Sequence, residues 1–164
     1  MKKAKPAAMR PDLGPLPDLI GYVLRRAQIS VFKDFNRMFE KADIRPAQYS
    51  VLCVIERNPG LTQSAVAEAL GIKRANFVVL FNTLEERGLA RRAVGREDRR
   101  SHALTLTPAG KTFVAGLHAL ARRHEQNFSA AMTAEERRQL FSLLNTLRRR
   151  GRELRDVDTS KRGE

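Results

Sequence analysis

The chain has 164 residues, of which 42% are apolar, and this size suits one domain with a hydrophobic core rather than two independent domains. Lys and Arg number 31 against 18 Asp and Glu, so the formal net charge of +13 favours a polyanionic partner such as nucleic acid or an anionic membrane. The sequence has no apolar run long enough for a membrane span, no signal-peptide core and a single cysteine, so we expect a cytoplasmic protein without disulfides.

A flexible arm and two helices are predicted for the first third of the chain. Residues 1–16 hold three prolines and few apolar residues, which predicts a flexible N-terminal arm. Residues 17–45 contain apolar positions at steps of three and four, which predicts a long helix whose apolar stripe needs a partner helix. A second helix is expected to begin at Pro46 and to end at Asn58. The stripe of the first helix consists of Ile20, Leu24, Ala27, Val31, Phe35 and Met38.

A helix-turn-helix followed by a β-hairpin is predicted next. Thr62 suits the N-cap of a short third helix that ends at Gly71, and a fourth helix is expected from Lys73 to Arg87. Two helices joined by so short a turn are typical of a helix-turn-helix. The spacing of apolar residues then changes to that of strands, which predicts one strand at Leu89–Ala93 and a second at Ser101–Thr107. The polar loop between them is Val94–Arg100.

Two further helices are predicted to close the fold. Thr107 suits the N-cap of the first, and Thr133 with Glu136 forms a capping box for the second, which we expect to end at Gly151. The apolar stripe of the last helix is Leu140, Leu143, Leu144 and Leu147. The expected fold is mainly α with a small β-hairpin wing. It comprises a dimerisation helix (17–45), a winged helix-turn-helix DNA-binding region (46–107), C-terminal dimerisation helices (108–151) and a charged tail (152–164).

The fourth helix is the predicted DNA-reading element, because a helix fits the major groove and presents its first turns to base edges. If Phe77, Phe81 and Leu84 face the core, the opposite face carries two valines, which suit thymine methyl groups. Arg74 suits guanine, and Asn76 suits adenine. An ordinary amphipathic surface helix is the alternative. The candidate contacts in this helix are Lys73, Arg74, Ala75, Asn76, Val78, Val79 and Asn82.

An arginine-rich stretch surrounds the predicted hairpin. Arginine suits narrow minor grooves, where the negative potential is strongest, so the hairpin loop is expected to enter one. The alternative is a solvated turn in which Asp98 pairs with a neighbouring arginine and braces the loop. The remaining candidate DNA contacts are Arg91, Arg96, Asp98, Arg99 and Arg100 in the hairpin, and Thr62, Gln63 and Ser64 at the start of the third helix.

Three segments resemble the MarR family of winged-helix regulators: Ile44–Leu52, Leu84–Arg92 and Glu97–Gly110. The most specific signature lies in the last of these, an Asp-Arg-Arg wing followed by Leu-Thr-Pro-Ala-Gly, and the likeness runs from about Pro17 to Gly151. The resemblance implies that the fourth helix is the recognition helix and that Asp98 and Arg99 hold the family's wing positions. This chain departs from the family by lacking a Ser or Asp cap before that helix, where a bound phosphate would satisfy the free amides instead.

The resemblance also implies a homodimer and a small-molecule effector. Family members pair through their terminal helices, and the apolar stripes here exceed what a compact helix-turn-helix needs, although packing within one chain is the alternative. Residues Gly21–Phe32 resemble a subgroup that responds to aromatic acids or their coenzyme A thioesters. Arg25, Arg26 or Arg148–Arg150 would meet the phosphates of such a thioester. The candidate ligand-binding residues are Tyr22, Arg25, Arg26, Ser30, Tyr49 and Phe113.

Other functions find little support in the sequence. Cys53 lies in an apolar helix, away from the cations that make a thiolate reactive. The three histidines lack metal-ligand spacing, and no phosphate-binding Gly-rich loop, nucleophile elbow or HExxH motif occurs, so we expect no metal, no cofactor and no enzymatic activity. The expected protein is a repressor that binds a palindromic operator in double-stranded DNA. The main alternative is a basic RNA-binding or ribosome-associated winged-helix protein, and an enzyme with a diffuse active site ranks last.

Overall fold

The computed structural model describes residues 11–94 and 102–161, in which six α-helices accompany one two-stranded antiparallel hairpin. Short 3-10 turns at Leu16–Asp18 and Glu40–Ala42 flank the first helix. The predicted class, mainly α with a hairpin wing, is confirmed. The elements are α1 (Ile20–Met38), α2 (Pro46–Arg57), α3 (Gln63–Leu70), α4 (Arg74–Glu86), β1 (Ala90–Val94), β2 (His102–Leu106), α5 (Pro108–Ser129) and α6 (Ala134–Lys161).

Side-chain caps begin three of these helices where the sequence predicts them. The Thr62 hydroxyl accepts a hydrogen bond from the Ala65 N–H (3.2 Å), and the Thr107 hydroxyl accepts one from the Gly110 N–H (2.9 Å). At α6, the Thr133 N–H donates to the Glu136 carboxylate (2.7 Å) and the Glu136 N–H donates to the Thr133 hydroxyl (3.2 Å). Each cap satisfies amides that a helix N-terminus leaves free.

The last helix is longer than predicted. It continues through Gly151 to Lys161, so the predicted end at Gly151 is wrong, and residues 152–161 of the expected charged tail are helical. A glycine inside a helix costs only about 0.5–1 kcal/mol relative to alanine, and the arginines, glutamates and leucine around it favour helix. Arg150 and Glu153 also form an ion pair across this point at 3.2 Å. Residues 1–10 of the predicted arm and 162–164 lie outside the described residues.

The hydrophobic core lies beneath the helix-turn-helix. The rings of Phe77 and Phe81 on α4 stack with their centroids 5.9 Å apart, and they pack against α2, α3 and the hairpin. Burial of these large side chains positions α4 with its opposite face toward solvent. The largest of the described side chains that are less than 2% exposed are Phe39, Val51, Leu52, Ile55, Val66, Phe77, Phe81, Leu84, Leu104 and Val114.

The hairpin is joined to the chain in front of α3. β1 pairs with β2 so that Ala90 lies opposite Leu106 and Val94 opposite His102. On its other edge, Leu104 in β2 donates its N–H to the Leu61 carbonyl (2.9 Å) and accepts from the Gly60 N–H (2.8 Å). These bonds fix the base of the hairpin against the start of α3.

Apolar side chains line the surfaces of the terminal helices. In α1, Ile20 and Val23 are 66% and 53% exposed, and α6 buries none of its described side chains. Leu143 in α6 is 64% exposed. An apolar surface of this extent on two long helices is typical of a protein-protein interface. None of the described helices combines the length and apolarity needed to cross a membrane.

Asp34 joins α1 to α5. Its carboxylate accepts a hydrogen bond from Arg37, lies 3.0 Å from Nδ1 of His124 and accepts one from Asn127 at 3.3 Å. These bonds, that of Arg37 first, lower the pKa of Asp34 from 3.8 to about 2. Because the folded pKa is depressed, the stabilisation is complete above pH 3.8 and is lost as the pH falls toward about 2.

Replacing Asp34 by asparagine should lower the free energy of unfolding by about 1–2 kcal/mol near neutral pH. The difference from the parent protein should shrink as the pH falls below 3.8 and vanish near pH 2. Urea unfolding followed by circular dichroism across this range measures it. Asp18→Asn, in the exposed turn before α1, is the control and should show little difference at any pH. An effect of Asp34→Asn that is equal at all pH values would contradict the assignment.

Candidate nucleic-acid interface

The outward face of α4 carries the predicted reading residues. Val79 is 67% exposed and Val78 is 37% exposed, whereas Phe77 on the same turn is fully buried. The predicted division of this helix into a core face and an outward face is therefore confirmed. No side chain caps its N-terminus, as predicted from Lys73. The exposed residues at its start and along this face are Lys73, Arg74, Ala75, Asn76, Val78, Val79 and Asn82.

The start of α3 lies close to α4. Thr62 and Ser64 are exposed, and Thr62 uses its hydroxyl as the N-cap. Gln63 is half-buried, with its amide oxygen 3.4 Å from Nη2 of Arg92. Thr62 and Gln63 therefore both contribute to the local structure, besides being candidate DNA contacts.

Arg92 connects the hairpin to both helices of the helix-turn-helix. Its guanidinium forms an ion pair with Glu85, donates to the Asn82 amide oxygen at 2.7 Å and lies 4.6 Å from the centroid of the Phe81 ring. Its backbone N–H also donates to the Glu85 carboxylate at 2.9 Å. The Arg92 side chain is only 21% exposed, so these bonds form in a site partly shielded from water.

The other arginines near the hairpin divide into two groups. Arg91 is exposed, with Nε 3.4 Å from the Thr105 hydroxyl. Arg87 donates to the Ala42 carbonyl at 3.0 Å and packs over the Phe113 ring, so it ties α4 to the α1–α2 connection. The predicted DNA contacts Arg96, Asp98, Arg99 and Arg100 lie outside the described residues.

Two grooves large enough for a small molecule flank α2. One, of about 700 Å³, lies between the end of α1 and the start of α2, and Ser30 lines it. The other, of about 610 Å³, lies between α2 and α5 and is lined by Tyr49, His118, Arg57 and Arg122. Each groove combines aromatic or aliphatic surface with charged groups, as ligand sites commonly do.

A hydrogen-bonded chain of side chains begins with two residues that line the α2–α5 groove, Tyr49 and His118. The Tyr49 hydroxyl lies 3.2 Å from Nδ1 of His118, and Nε2 of His118 lies 2.9 Å from the Glu56 carboxylate. Burial raises the pKa of Tyr49, so the phenol stays protonated, and burial also raises the pKa of the half-buried Cys53 thiol beside it. A raised pKa disfavours the thiolate that redox chemistry needs.

Comparison with known proteins gives the family. The family model described as MarR family matches residues 42–101. A Thauera aromatica protein named for transcriptional regulation of the hcr operon is 38% identical over 85% of both chains. The solved structure of the transcriptional repressor CouR bound to a 23-mer DNA duplex is 41% identical, with a TM-score of 0.79, over 85% of this chain and 99% of that chain. The chain belongs to the MarR family.

A second MarR-type structure shows a bound small molecule. CouR bound to p-coumaroyl-CoA is 40% identical to this chain, with a TM-score of 0.79, over 85% of this chain and 99% of that chain. The family and the class of protein predicted from the sequence, a DNA-binding transcriptional regulator, are confirmed by these likenesses.

The structure does not gather the predicted effector residues of this MarR protein into one groove. Tyr49 lines the α2–α5 groove and Ser30 the groove beside α1. Tyr22, Arg25 and Arg26 lie on the N-terminal half of α1, outside both grooves, with Arg25 and Arg26 exposed. Phe113 packs beneath the Arg87 guanidinium. Among the residues described, no group of three or more His, Cys, Asp or Glu side chains could hold a metal ion.

Four residues of these sites were not identified from the sequence, namely Arg92, Arg57, His118 and Arg122. For Arg92 a usable signal exists, because alternation along β1 places it on the same face of the strand as the buried Ala90. His118 and Arg122 lie four residues apart on α5, which places them on one helix face. That spacing, however, does not indicate that this face of α5 lies opposite α2.

Proposed function

We propose that this MarR-family chain is a homodimeric repressor that binds a palindromic operator and is released by an aromatic acid or its coenzyme A thioester. The observation that carries the proposal is the exposed face of α4, an apolar and basic surface held outward by a fully buried core face. It supports base reading because valines suit thymine methyl groups and the arginine and asparagines suit base edges. The 41% identity to a repressor bound to a DNA duplex supports the same conclusion.

The terminal helices support the homodimer. One reading head covers one half-site, so a two-fold pair of heads is needed for a palindromic operator. The exposed apolar stripes of α1 and α6 provide a surface that a second copy would bury. The dimer positions the two α4 helices for successive major grooves about one turn of DNA apart.

The α2–α5 groove supports a thioester effector. Arg57 and Arg122 are exposed at its edge, where they suit phosphates, and Tyr49 and His118 offer rings and polar atoms for an aromatic acyl group. CouR, which binds p-coumaroyl-CoA, is 40% identical to this chain. We assign the effector to this groove. Of the ligand-binding residues predicted from the sequence, only Tyr49 lines it.

Footprinting on the promoter fragments nearest the gene, repeated with added ligands, tests the function. The parent protein should protect two half-sites about one DNA turn apart. Protection should be lost with p-coumaroyl-CoA, while coenzyme A alone serves as the control and p-coumarate distinguishes acid from thioester recognition. Absence of any protected site, or equal affinity for single-stranded RNA, would contradict the proposal.

Replacing Arg74 or Asn76 by alanine should weaken binding to the preferred operator by about 1–3 kcal/mol and relax the base preference at the contacted position. Lys73→Ala should weaken all duplexes alike, because a lysine on a phosphate reads no sequence. Titrations on the operator and on a scrambled duplex separate the two effects. If Arg74→Ala loses the same affinity on both duplexes, α4 does not read bases through this residue.

Replacing Arg122 by alanine should raise the concentration of p-coumaroyl-CoA needed for operator release by about tenfold, because one charge-assisted bond to a phosphate is lost. Arg123→Ala is the matched control, since Arg123 is exposed on the next position of α5 but does not line the groove. Both variants lose one positive charge, so any general effect of charge on DNA affinity should be the same in the two and cancels when they are compared. Equal responses of the two variants would exclude this groove as the phosphate site.

A further inference from the structure

The contact between Arg92 and Asn82 determines which end of the Asn82 amide is available to a ligand. An arginine side chain carries only hydrogen-bond donors, so its partner atom in Asn82 must be the amide oxygen. Nη2 of Arg92 lies 2.7 Å from that oxygen, a short distance for a charge-assisted bond. The contact uses one of the two lone pairs of this oxygen and turns the oxygen end of the amide toward Arg92, so the end turned away from Arg92 is Nδ2, which carries two N–H donors.

The position of Asn82 places it on the DNA-facing side of α4. It follows Val78 by four residues and Val79 by three, so the three side chains share one helix face. All three are exposed. Asn82 therefore forms the C-terminal end of the predicted reading surface, one turn beyond the two valines.

Several contacts hold Arg92 in place. Its guanidinium pairs with the Glu85 carboxylate and packs over Phe81, a fully buried ring. The same carboxylate also accepts the Arg92 backbone N–H at 2.9 Å, which fixes Glu85 beside β1. A guanidinium held on one side by an ion pair and on another by an aromatic face keeps its orientation toward Asn82.

We propose that Arg92 is a positioning residue that makes Asn82 a donor-only reader of DNA. An unrestrained asparagine recognises adenine by donating to N7 and accepting from N6, which requires both ends of the amide. With its oxygen held by Arg92, Asn82 instead favours guanine, which presents two neighbouring acceptors, O6 and N7. The inference rests on the proposed reading of DNA by α4 and specifies the chemistry of one position in it.

Selection of duplexes from a random pool by the full chain tests the proposal. Comparison of the parent protein with Asn82→Ala identifies the base pair that depends on Asn82, and guanine should be preferred there by about tenfold. Asn82→Asp keeps the inner contact with Arg92 but presents an acceptor outward, so its preference should move from guanine to cytosine. A uniform loss of affinity from the added negative charge does not alter this preference.

Arg92→Lys supplies the complementary measurement. Lysine keeps the charge but lacks the planar fork, so it should release the amide oxygen and shift the preference at the same position toward adenine. When Asn82 is already alanine, Arg92→Lys should not change the base preference at this base pair. If Arg92 acted only by stabilising the fold, its effect would not depend on the presence of Asn82. Thermal unfolding of each variant verifies that the comparison concerns folded protein.

The outcomes separate this inference from the proposed function. Adenine preference in the parent protein, an Arg92→Lys profile identical to that of the parent, or no base pair that depends on Asn82 would overturn the inference while leaving operator binding intact. Failure of the parent protein to enrich any duplex would overturn the proposed function and the inference with it.

Discussion

Replacing Gly110 by alanine should lower the free energy of unfolding by about 3 kcal/mol or more, near the upper end of overpacking effects. A Cβ at this position would lie 1.8 Å from the carbonyl oxygen of Leu89 and 2.8 Å from its carbonyl carbon. Both are backbone atoms, and the Leu89 carbonyl is further held by the Thr107 N–H at 3.1 Å. The chain must therefore separate α5 from Leu89, the residue before β1, to accommodate one methyl group. Urea unfolding followed by circular dichroism measures the loss.

Gly116→Ala is the matched control for this prediction. Gly116 lies in the same helix, and a Cβ there would meet nothing within 4 Å. Alanine should stabilise that exposed position by about 0.5–1 kcal/mol, because glycine loses more backbone entropy on helix formation. A parallel loss of stability in both variants would mean that the close approach of Gly110 to Leu89 is not the cause.

Placing glutamate at both Leu144 and Leu147 should convert the dimer to monomers and reduce operator affinity by about 100-fold or more, since each head then binds its half-site alone. Both leucines belong to the α6 stripe and are 37% and 41% exposed in the single chain. A second copy packed against them would bury the new carboxylates without partners, at a cost of several kcal/mol. Analytical ultracentrifugation measures the assembly, and titration on the operator measures the binding.

Glutamates at Asn145 and Thr146 provide the control for the dimer variant. These residues lie in the same turns of α6 but away from the apolar stripe. Two glutamates there add the same negative charge as in the leucine variant. The control should remain dimeric and should lose affinity only through electrostatic repulsion, which added salt diminishes. A dimer that survives the leucine substitutions would place the interface elsewhere.

The order and type of the elements could be predicted because local chemistry marks them. Thr62, Thr107 and Thr133 each begin a helix by bonding an amide within three residues, so the signal and its structural partner are adjacent in the sequence. The end of α6 could not be located in this way. Gly151 is a frequent helix terminator, but here it is outweighed by helix-favouring neighbours and by the Arg150–Glu153 pair.

The candidate site was predictable only in part, for a related physical reason. The outward face of α4 follows from the periodicity of a single helix, and it is exposed as expected. The bonds of His118 connect residues 62 and 69 positions apart, which no local pattern encodes. Arg92 could be predicted in one respect only. Strand alternation indicates the direction of its side chain, but no local pattern indicates its partners on α3 and α4.

The hydrogen bonds from β2 to Gly60 and Leu61 have a mechanical consequence. Together with the Arg92 contacts, they join the two strands at the base of the wing, α3 and α4 into one stiff body. The base of the wing cannot tilt relative to α4 unless these bonds break, so each head should engage and leave its half-site in a single step. If operator occupancy falls gradually as effector is added, the cause would then be a change in the number of heads bound to their half-sites. Partial unfolding within a single head would not contribute.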